Sequence, residues 1–341
     1  MESLPQNDSE KLSPPKTLTD LPADVVNDIG VRLDFASFCS LKKSQSTLHE
    51  HLESGKVFPL IRELEIEYFP KLITVIIRDQ SHVPYGYVEI TYRLKRRGVL
   101  VNSKFSERKD LGRSVLLENE DIQKVFFDDF KFMFTGNETG QALLKLTIKK
   151  NVGKSFFEEM GSLLAARKKP FEVMNLSITT PVAETIMPIM PHIAAKYLEL
   201  MGYSVDAPLD FTRFVGTNAW NTAKKRLRLC TCQWPEDPNC LRKFEVIVTT
   251  NTLVTREQMY ALKDVCIYGK TLLIACFLRD IESIEGDFRQ FYLMDGKQYA
   301  EYYAVNSDED RIGAKITLKF SDRLITPHKL TIVKTPVKDF Y

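Results

Sequence analysis

The chain has 341 residues, with 47 Lys and Arg against 45 Asp and Glu and a formal net charge of +2. Its hydrophobic fraction of 44% and charged fraction of 27% are typical of a folded globular protein, and its length favours about two domains. So small a net charge excludes a field of the whole chain that would attract nucleic acid or a membrane surface.

The first residues predict a polar tail and no targeting segment. Residues 1–16 are rich in Ser, Pro, Asn, Asp and Lys, which predicts disorder, and they lack the apolar core of a signal peptide. No apolar run in the chain approaches the roughly 18 residues of a membrane span. We therefore expect a cytoplasmic and/or nuclear protein, in which the six scattered cysteines are reduced.

Residues 17–56 predict three short helices. Val25, Ile29 and Leu33 recur at intervals of four and form an apolar stripe on one helix face, and Pro22 suits the first helical turn. A second apolar set follows at Phe35, Phe38, Leu41, Leu48 and Leu52. A domain this small is marginally stable alone, so part of its apolar surface requires a partner.

The spacing of these residues resembles the F-box, a helical motif that docks on a Skp-type adaptor and so on a cullin ubiquitin ligase. Two departures stand out: Gly30 lies where the F-box usually carries a second bulky apolar residue, and Ser44-Gln45 replaces an apolar-Cys pair. The resemblance implies that the adaptor contacts Leu18, Leu21, Pro22, Val25, Val26, Ile29, Leu33, Phe38 and Leu41. The alternative is an N-terminal amphipathic helical hairpin that packs on the rest of the chain.

The next segment predicts an antiparallel β-meander at about residues 71–103. Its runs LITVII, YGYVEITYRL and GVLVN alternate β-branched or aromatic residues with polar ones, and turn signals separate them. A helix is predicted over Val115 to Phe134.

An apolar-x-x-Leu-x-Leu pattern then recurs along the body. Its copies are Ile61/Leu64/Ile66, Leu143/Leu146/Ile148, Val173/Leu176/Ile178 and Leu241/Phe244/Val246, with looser copies at Leu198/Leu200, Leu227/Leu229, Leu272/Ile274 and Leu330/Ile332. Predicted helices between them are Ser155 to Arg167, Val182 to Ala195, Phe211 to Lys224, Arg256 to Tyr268 and Arg279 to Leu293. Strand and helix at this spacing predict stacked β-α units with a parallel sheet. An ordinary two-layer α/β domain is the alternative.

The body, residues 60–341, resembles the FTH domain, which follows an F-box in nematode proteins. The resemblance rests on Ile189-Met190-Pro191, on the segment from Trp220 to Lys224, and on the repeat LLKLTIKK. We therefore predict an α/β protein: a small N-terminal three-helix F-box, a β-meander, and an irregular leucine-rich-repeat-like β-α solenoid. The resemblance implies a substrate receptor of an SCF-type E3 ubiquitin ligase, with the substrate held by the body at unknown residues.

The sequence predicts no enzyme, cofactor or metal site. Phosphate-binding, nucleophile-elbow and zinc-protease motifs are missing from the sequence, and Cys230, Cys232 and Cys240 lack a C-x-x-C pair. Trp220 is interpreted as a core anchor. Compact basic clusters at 95–97, 167–169 and 224–226 leave nucleic-acid binding as one alternative function, and a scaffold without a ligase is another.

Overall fold

In a computed structural model of the chain, the described residues are 25, 35, 61–79, 87–106, 112–135, 143–150, 154–254, 258, 271–278, 290–294, 297–305, 312–319 and 328–336. They form a large mixed sheet with few helices, so the predicted α/β class is confirmed. The helices are α1 (Ile122–Thr135), α2 (Ser155–Ala165) and the short α3 (Asn218–Thr222).

Fifteen strands are found in the described part of the chain. The first ten are β1 (Ile61–Phe69), β2 (Leu72–Asp79), β3 (Val88–Lys95), β4 (Gly98–Phe105), β5 (Arg113–Glu118), β6 (Leu143–Lys150), β7 (Phe171–Thr179), β8 (Ile193–Met201), β9 (Arg226–Cys230) and β10 (Val246–Val254). The others are β11 (Thr271–Leu278), β12 (Gln290–Met294), β13 (Lys297–Val305), β14 (Ile312–Lys319) and β15 (His328–Pro336).

The centre of the sheet is parallel and its two flanks are antiparallel. Strands β1, β6, β7, β8, β9, β10 and β11 lie side by side in chain order and pair in parallel. An antiparallel meander runs from β1 to β5 on one flank, and β15, β14, β13 and β12 continue from β11 on the other. A parallel neighbour requires a crossover connection, which the α2 and α3 segments provide between their strands.

The Leu-x-Leu positions align across the parallel strands. Leu176 is in register with Leu198 and then with Leu227, and the residues two places later, Ile178 and Leu200, are also paired. All five side chains are buried. Because side chains alternate between the two faces of a strand, this register places one continuous apolar face toward the helices.

An aromatic cluster fills the space between the meander and the helices. Phe126 and Phe130 of α1 contact Tyr92 of β3 edge to face, at ring-centroid distances of 5.9 and 6.4 Å. Phe156 of α2 stacks on Tyr68 of β1 at 4.4 Å. The cluster ties both helices to the same face of the sheet.

The helix predicted over Val182 to Ala195 is wrong. This segment forms two short 3₁₀ turns, Ala183–Thr185 and Met190–His192, and strand β8 begins at Ile193. Pro188 and Pro191 explain the difference, because an interior proline removes a helical hydrogen bond and clashes with the preceding turn.

Two further helix predictions are only partly correct. The segment Phe211 to Lys224 contains a 3₁₀ turn, Phe211–Phe214, and then α3, which are separated by Gly216 with φ of +88°. In the segment Val115 to Phe134, residues through Glu118 belong to β5. The helix α1 starts after Asp121, whose carboxylate accepts hydrogen bonds from the backbone N–H groups of Gln123 and Lys124.

The remaining body predictions have mixed outcomes. The helix Ser155 to Arg167 is confirmed apart from its last two residues, which follow α2. The copy Leu241/Phe244/Val246 is misplaced, since Ile247 and Thr249 of β10 are the residues in register with Leu227 and Leu229. Of Arg256 to Tyr268 only residue 258 is described, and it is helical; residues 290–293 of the predicted helix ending at Leu293 lie in β12.

The predicted F-box lies outside the described residues except at two positions. Val25 and Phe35 are both helical. Phe35 is buried and stacks on Phe130 of α1 with ring centroids 5.9 Å apart, whereas Val25 is 40% exposed. Phe35 therefore contributes to the core of the body. No helix in the described part of the chain is long and apolar enough to cross a bilayer.

Candidate interaction surface

The candidate site is the sheet face opposite the Leu-x-Leu side chains, here called the open face. Its side chains are those at the x positions of the pattern, and they project from the same strands in the opposite direction. Parallel register aligns them in rows: Tyr197 is paired with Arg226 and then Val246, and Glu199 with Arg228 and then Val248. Most of these side chains are exposed or half-buried.

The β1 end of the open face carries a column of three glutamates, two of which form ion pairs. Glu63, Glu65 and Glu67 stand in one column on β1 and are half-buried. Glu63 accepts a hydrogen bond from Arg78 of β2 at 3.0 Å, and Glu65 forms an ion pair with Lys149 of β6. The hydrogen bond that Lys149 donates to Glu65 raises the pKa of the lysine above its ordinary value, so this lysine is charged at neutral pH.

The middle of the open face is neutral. Strand β7 carries Asn175, Ser177 and Thr179 at the open positions, and Ser177 is almost completely buried between its neighbours. These short side chains provide hydrogen-bonding groups but no charge, so β7 separates the acidic column from the opposite end of the face.

The β8 to β10 end of the open face is basic and partly apolar. Arg226 and Arg228 on β9 are exposed. Arg228 forms an ion pair with Glu199 at 2.8 Å, and the guanidinium side chain is 44% exposed while the glutamate side chain is only 17% exposed. The carboxylate is therefore recessed and the arginine faces outward. Half-buried Tyr197, Met201, Val246 and Val248 surround this pair.

In two of the three basic clusters that suggested nucleic-acid binding, one residue is engaged within the protein. The Arg167 guanidinium donates to the Phe134 carbonyl at 3.1 Å and lies over the Phe171 ring at 5.2 Å. Lys225 forms a 2.6 Å ion pair with Glu245, which raises the pKa of the lysine. These side chains have structural roles at the ends of α2 and β9.

The cysteines do not form a metal site in the described part of the chain, where no cluster of potential ligands is found. Cys230, Cys232 and Cys240 are free thiols. Burial raises the pKa of Cys232 to about 12 and that of Cys240 to about 11. Both thiols are thus protonated at neutral pH, and neither has the thiolate character that a nucleophile or metal ligand needs.

Trp220 is a core anchor, as the sequence predicted. Its side chain is 1% exposed, stacks on Phe211 at 5.7 Å and meets Phe244 edge to face at 5.0 Å. The Lys243 ammonium lies 4.9 Å from the Trp220 ring centroid and donates a hydrogen bond to the Trp220 carbonyl. Burial lowers the pKa of Lys243 to about 8.

Of the nine residues predicted to contact the adaptor, Val25 is described and the other eight lie outside the described residues. The sequence named no substrate-binding residues. The open-face residues Tyr197 and Arg228 were missed, and Arg226 was noted only within a basic cluster. A signal was present, since all three stand between or beside the leucines of the repeat. Once the leucines are assigned to the core, alternation places these residues on the other face.

The α/β fold of the described residues defines a class of architecture but no family. A scan against protein-family models found no match, and searches of curated proteins and of solved structures found none either.

Proposed function

We propose that this protein is a substrate-recruiting subunit of an SCF-type cullin ubiquitin ligase, without catalytic activity of its own. Its N-terminal helices would dock a Skp-type adaptor through the residues from Leu18 to Leu41 named above. The open face of the body would hold a protein target. Such a receptor would act in the cytosol or nucleus and would need no cofactor.

The observation that carries this proposal is the one-sided packing of the sheet. Helices pack on the Leu-x-Leu face, while the open face presents side chains from consecutive parallel strands in regular rows. Stacked β-α units of the leucine-rich-repeat type use such extended surfaces to bind other proteins. The exposed Val25 supports the adaptor role, because an apolar side chain on a helix surface is available for a partner.

Nucleic-acid binding is the weaker alternative. Arg167 and Lys225 make internal contacts at helix and strand ends, and the open face carries Glu63, Glu65 and Glu67 in one column. Together with Arg78 and Lys149, these three glutamates leave no excess of positive charge around β1 that would attract a phosphate backbone.

Affinity purification of the tagged full-length chain from cells, followed by mass spectrometry, tests the proposal. We expect recovery of a Skp-type adaptor and a cullin. Replacing Leu21 and Pro22 together by Ala should abolish their recovery, because the entry turn and an apolar contact are both lost. Replacing the exposed Arg62 by Ala is the matched control and should leave recovery unchanged. Absence of adaptor and cullin from the wild-type sample would overturn the proposal.

A further inference from the structure

We propose that the β8 to β10 end of the open face binds an acidic segment of the protein target, one in which Asp or Glu stands beside an apolar side chain. The binding patch consists of Tyr197, Met201, Arg226, Arg228, Val246 and Val248. This inference deepens the proposed function and rests on it for the identity of the target as a protein.

The patch carries an excess of positive charge. Two exposed arginines stand against a single glutamate, Glu199, and that carboxylate is recessed behind Arg228. Arg226 forms no ion pair with any residue that the structure describes. The guanidinium of Arg226 therefore retains its full hydrogen-bonding capacity, and its planar fork matches a carboxylate in two-point contact.

The patch lies far from the column of glutamates on β1. Strands β1 and β9 are four strand spacings apart in the sheet order. At about 4.8 Å per spacing this corresponds to roughly 19 Å. Because that distance exceeds the Debye length of about 8 Å at physiological salt, Glu63, Glu65 and Glu67 do not cancel the positive potential at β9.

The patch also has an apolar component. Tyr197 and Val246 flank Arg226 in one row, and Val248 is paired with Arg228 in the next. Tyrosine and arginine beside aliphatic groups form the composition that dominates protein interfaces. A polynucleotide would bring no aliphatic partner for Met201 and the two valines, whereas an acidic peptide with interspersed apolar residues satisfies both components.

The test is a selection of 12-residue peptides from a random displayed library against the purified full-length chain, followed by affinity measurement through fluorescence anisotropy. We expect enrichment of peptides in which Asp or Glu is next to Leu, Ile, Val or Phe. Arg226→Glu should weaken the selected peptides by at least about tenfold, since it replaces attraction by repulsion of like charge.

Arg93→Glu is the matched control. Arg93 is exposed on β3, on the same face of the sheet, six strand spacings or about 29 Å from β9. The same charge reversal there should leave peptide affinity within about twofold, since the separation exceeds the screening length. Circular dichroism melting of both variants checks that each is folded.

Several results would overturn the inference. These are enrichment of basic or uncharged peptides, no enrichment at all, an equal loss in both variants, or tight binding of single-stranded RNA that Arg226→Glu abolishes. Adaptor recovery in the purification experiment is independent of this patch. Loss of peptide binding with retained adaptor binding would therefore reject the acidic target alone and leave the proposed ligase role standing.

Discussion

At the scale of single residues, Lys243 shows how one side chain connects the ends of two elements. Its ammonium group donates to the Trp220 carbonyl near the end of α3, where the last carbonyl groups of a helix lack helical partners. It also lies over the rings of Trp220 and Phe244. The lysine is half-buried, and this burial is the main cause of its lowered pKa.

This lowered pKa predicts a pH dependence of stability. Between about pH 8, the pKa of Lys243 in the folded chain, and its ordinary value of 10.5, the unfolded chain binds more protons than the folded chain. The contribution of this group to the free energy of unfolding therefore rises with pH across that window. Urea denaturation should show the wild type gaining stability relative to Lys243→Met as pH rises from 8 to 10.5.

The control for this measurement is Lys71→Met, which removes an exposed lysine from the turn between β1 and β2. It removes one positive charge without removing a buried contact, and so controls for the change in net charge. A difference between wild type and Lys243→Met that is flat or falls with pH would show that Lys243 is not desolvated in the folded chain.

At the scale of elements, α2 is fixed by a close approach that only glycine permits. A Cβ atom at Gly161 would lie 2.5 Å from the Pro188 carbonyl oxygen, in the segment that joins β7 to β8. Alanine usually stabilises a helix interior by about 1 kcal/mol relative to glycine. At Gly161 the steric conflict with backbone should reverse that sign.

Gly161→Ala should therefore lower the free energy of unfolding by about 1 to 3 kcal/mol, the usual cost of overpacking. Chemical denaturation measures this. Ser162→Ala, at the exposed neighbouring position, is the control and should change stability by about 0.5 kcal/mol or less. A stabilising effect of Gly161→Ala would show that α2 and the Pro188 segment are not in contact.

Sequence patterns predicted the strands of the body better than its helices, for a physical reason. The Leu-x-Leu positions of β7, β8 and β9 are buried on one face, and that burial imposes an alternation which is legible in the sequence. The connections between these strands contain short 3₁₀ turns. Their prolines and Gly216 interrupt the longer helices that the apolar spacing suggested. Tertiary packing determines whether such a segment forms a helix or turns, and hydrophobic periodicity alone does not predict the outcome.

The candidate site was less accessible to sequence reasoning. Arg226 belongs to the run Lys224-Lys225-Arg226, which reads as one basic cluster in the sequence. In the fold, Lys225 is paired with Glu245 at a strand end while Arg226 lies on the open face. Only the strand register separates these neighbouring residues into a structural role and a proposed binding role.

At the scale of the whole molecule, Phe35 changes how the two proposed parts of the chain should be separated. Because Phe35 stacks on Phe130, deletion of residues 1–56 would remove a core contact and uncover α1. Loss of a buried aromatic side chain typically costs about 3 to 5 kcal/mol. Point substitutions that leave Phe35 in place separate adaptor binding from target binding without this loss of stability.

The most direct test of the account is a reconstitution in which purified Skp-type adaptor and a selected acidic peptide are added together to the full-length chain. Analytical ultracentrifugation should show a ternary complex. The Leu21→Ala/Pro22→Ala variant should bind peptide but no adaptor, and Arg226→Glu should bind adaptor but no peptide. If either variant loses both ligands while folded, or if the two ligands compete for one site, the division into adaptor-binding helices and a target-binding sheet face is contradicted.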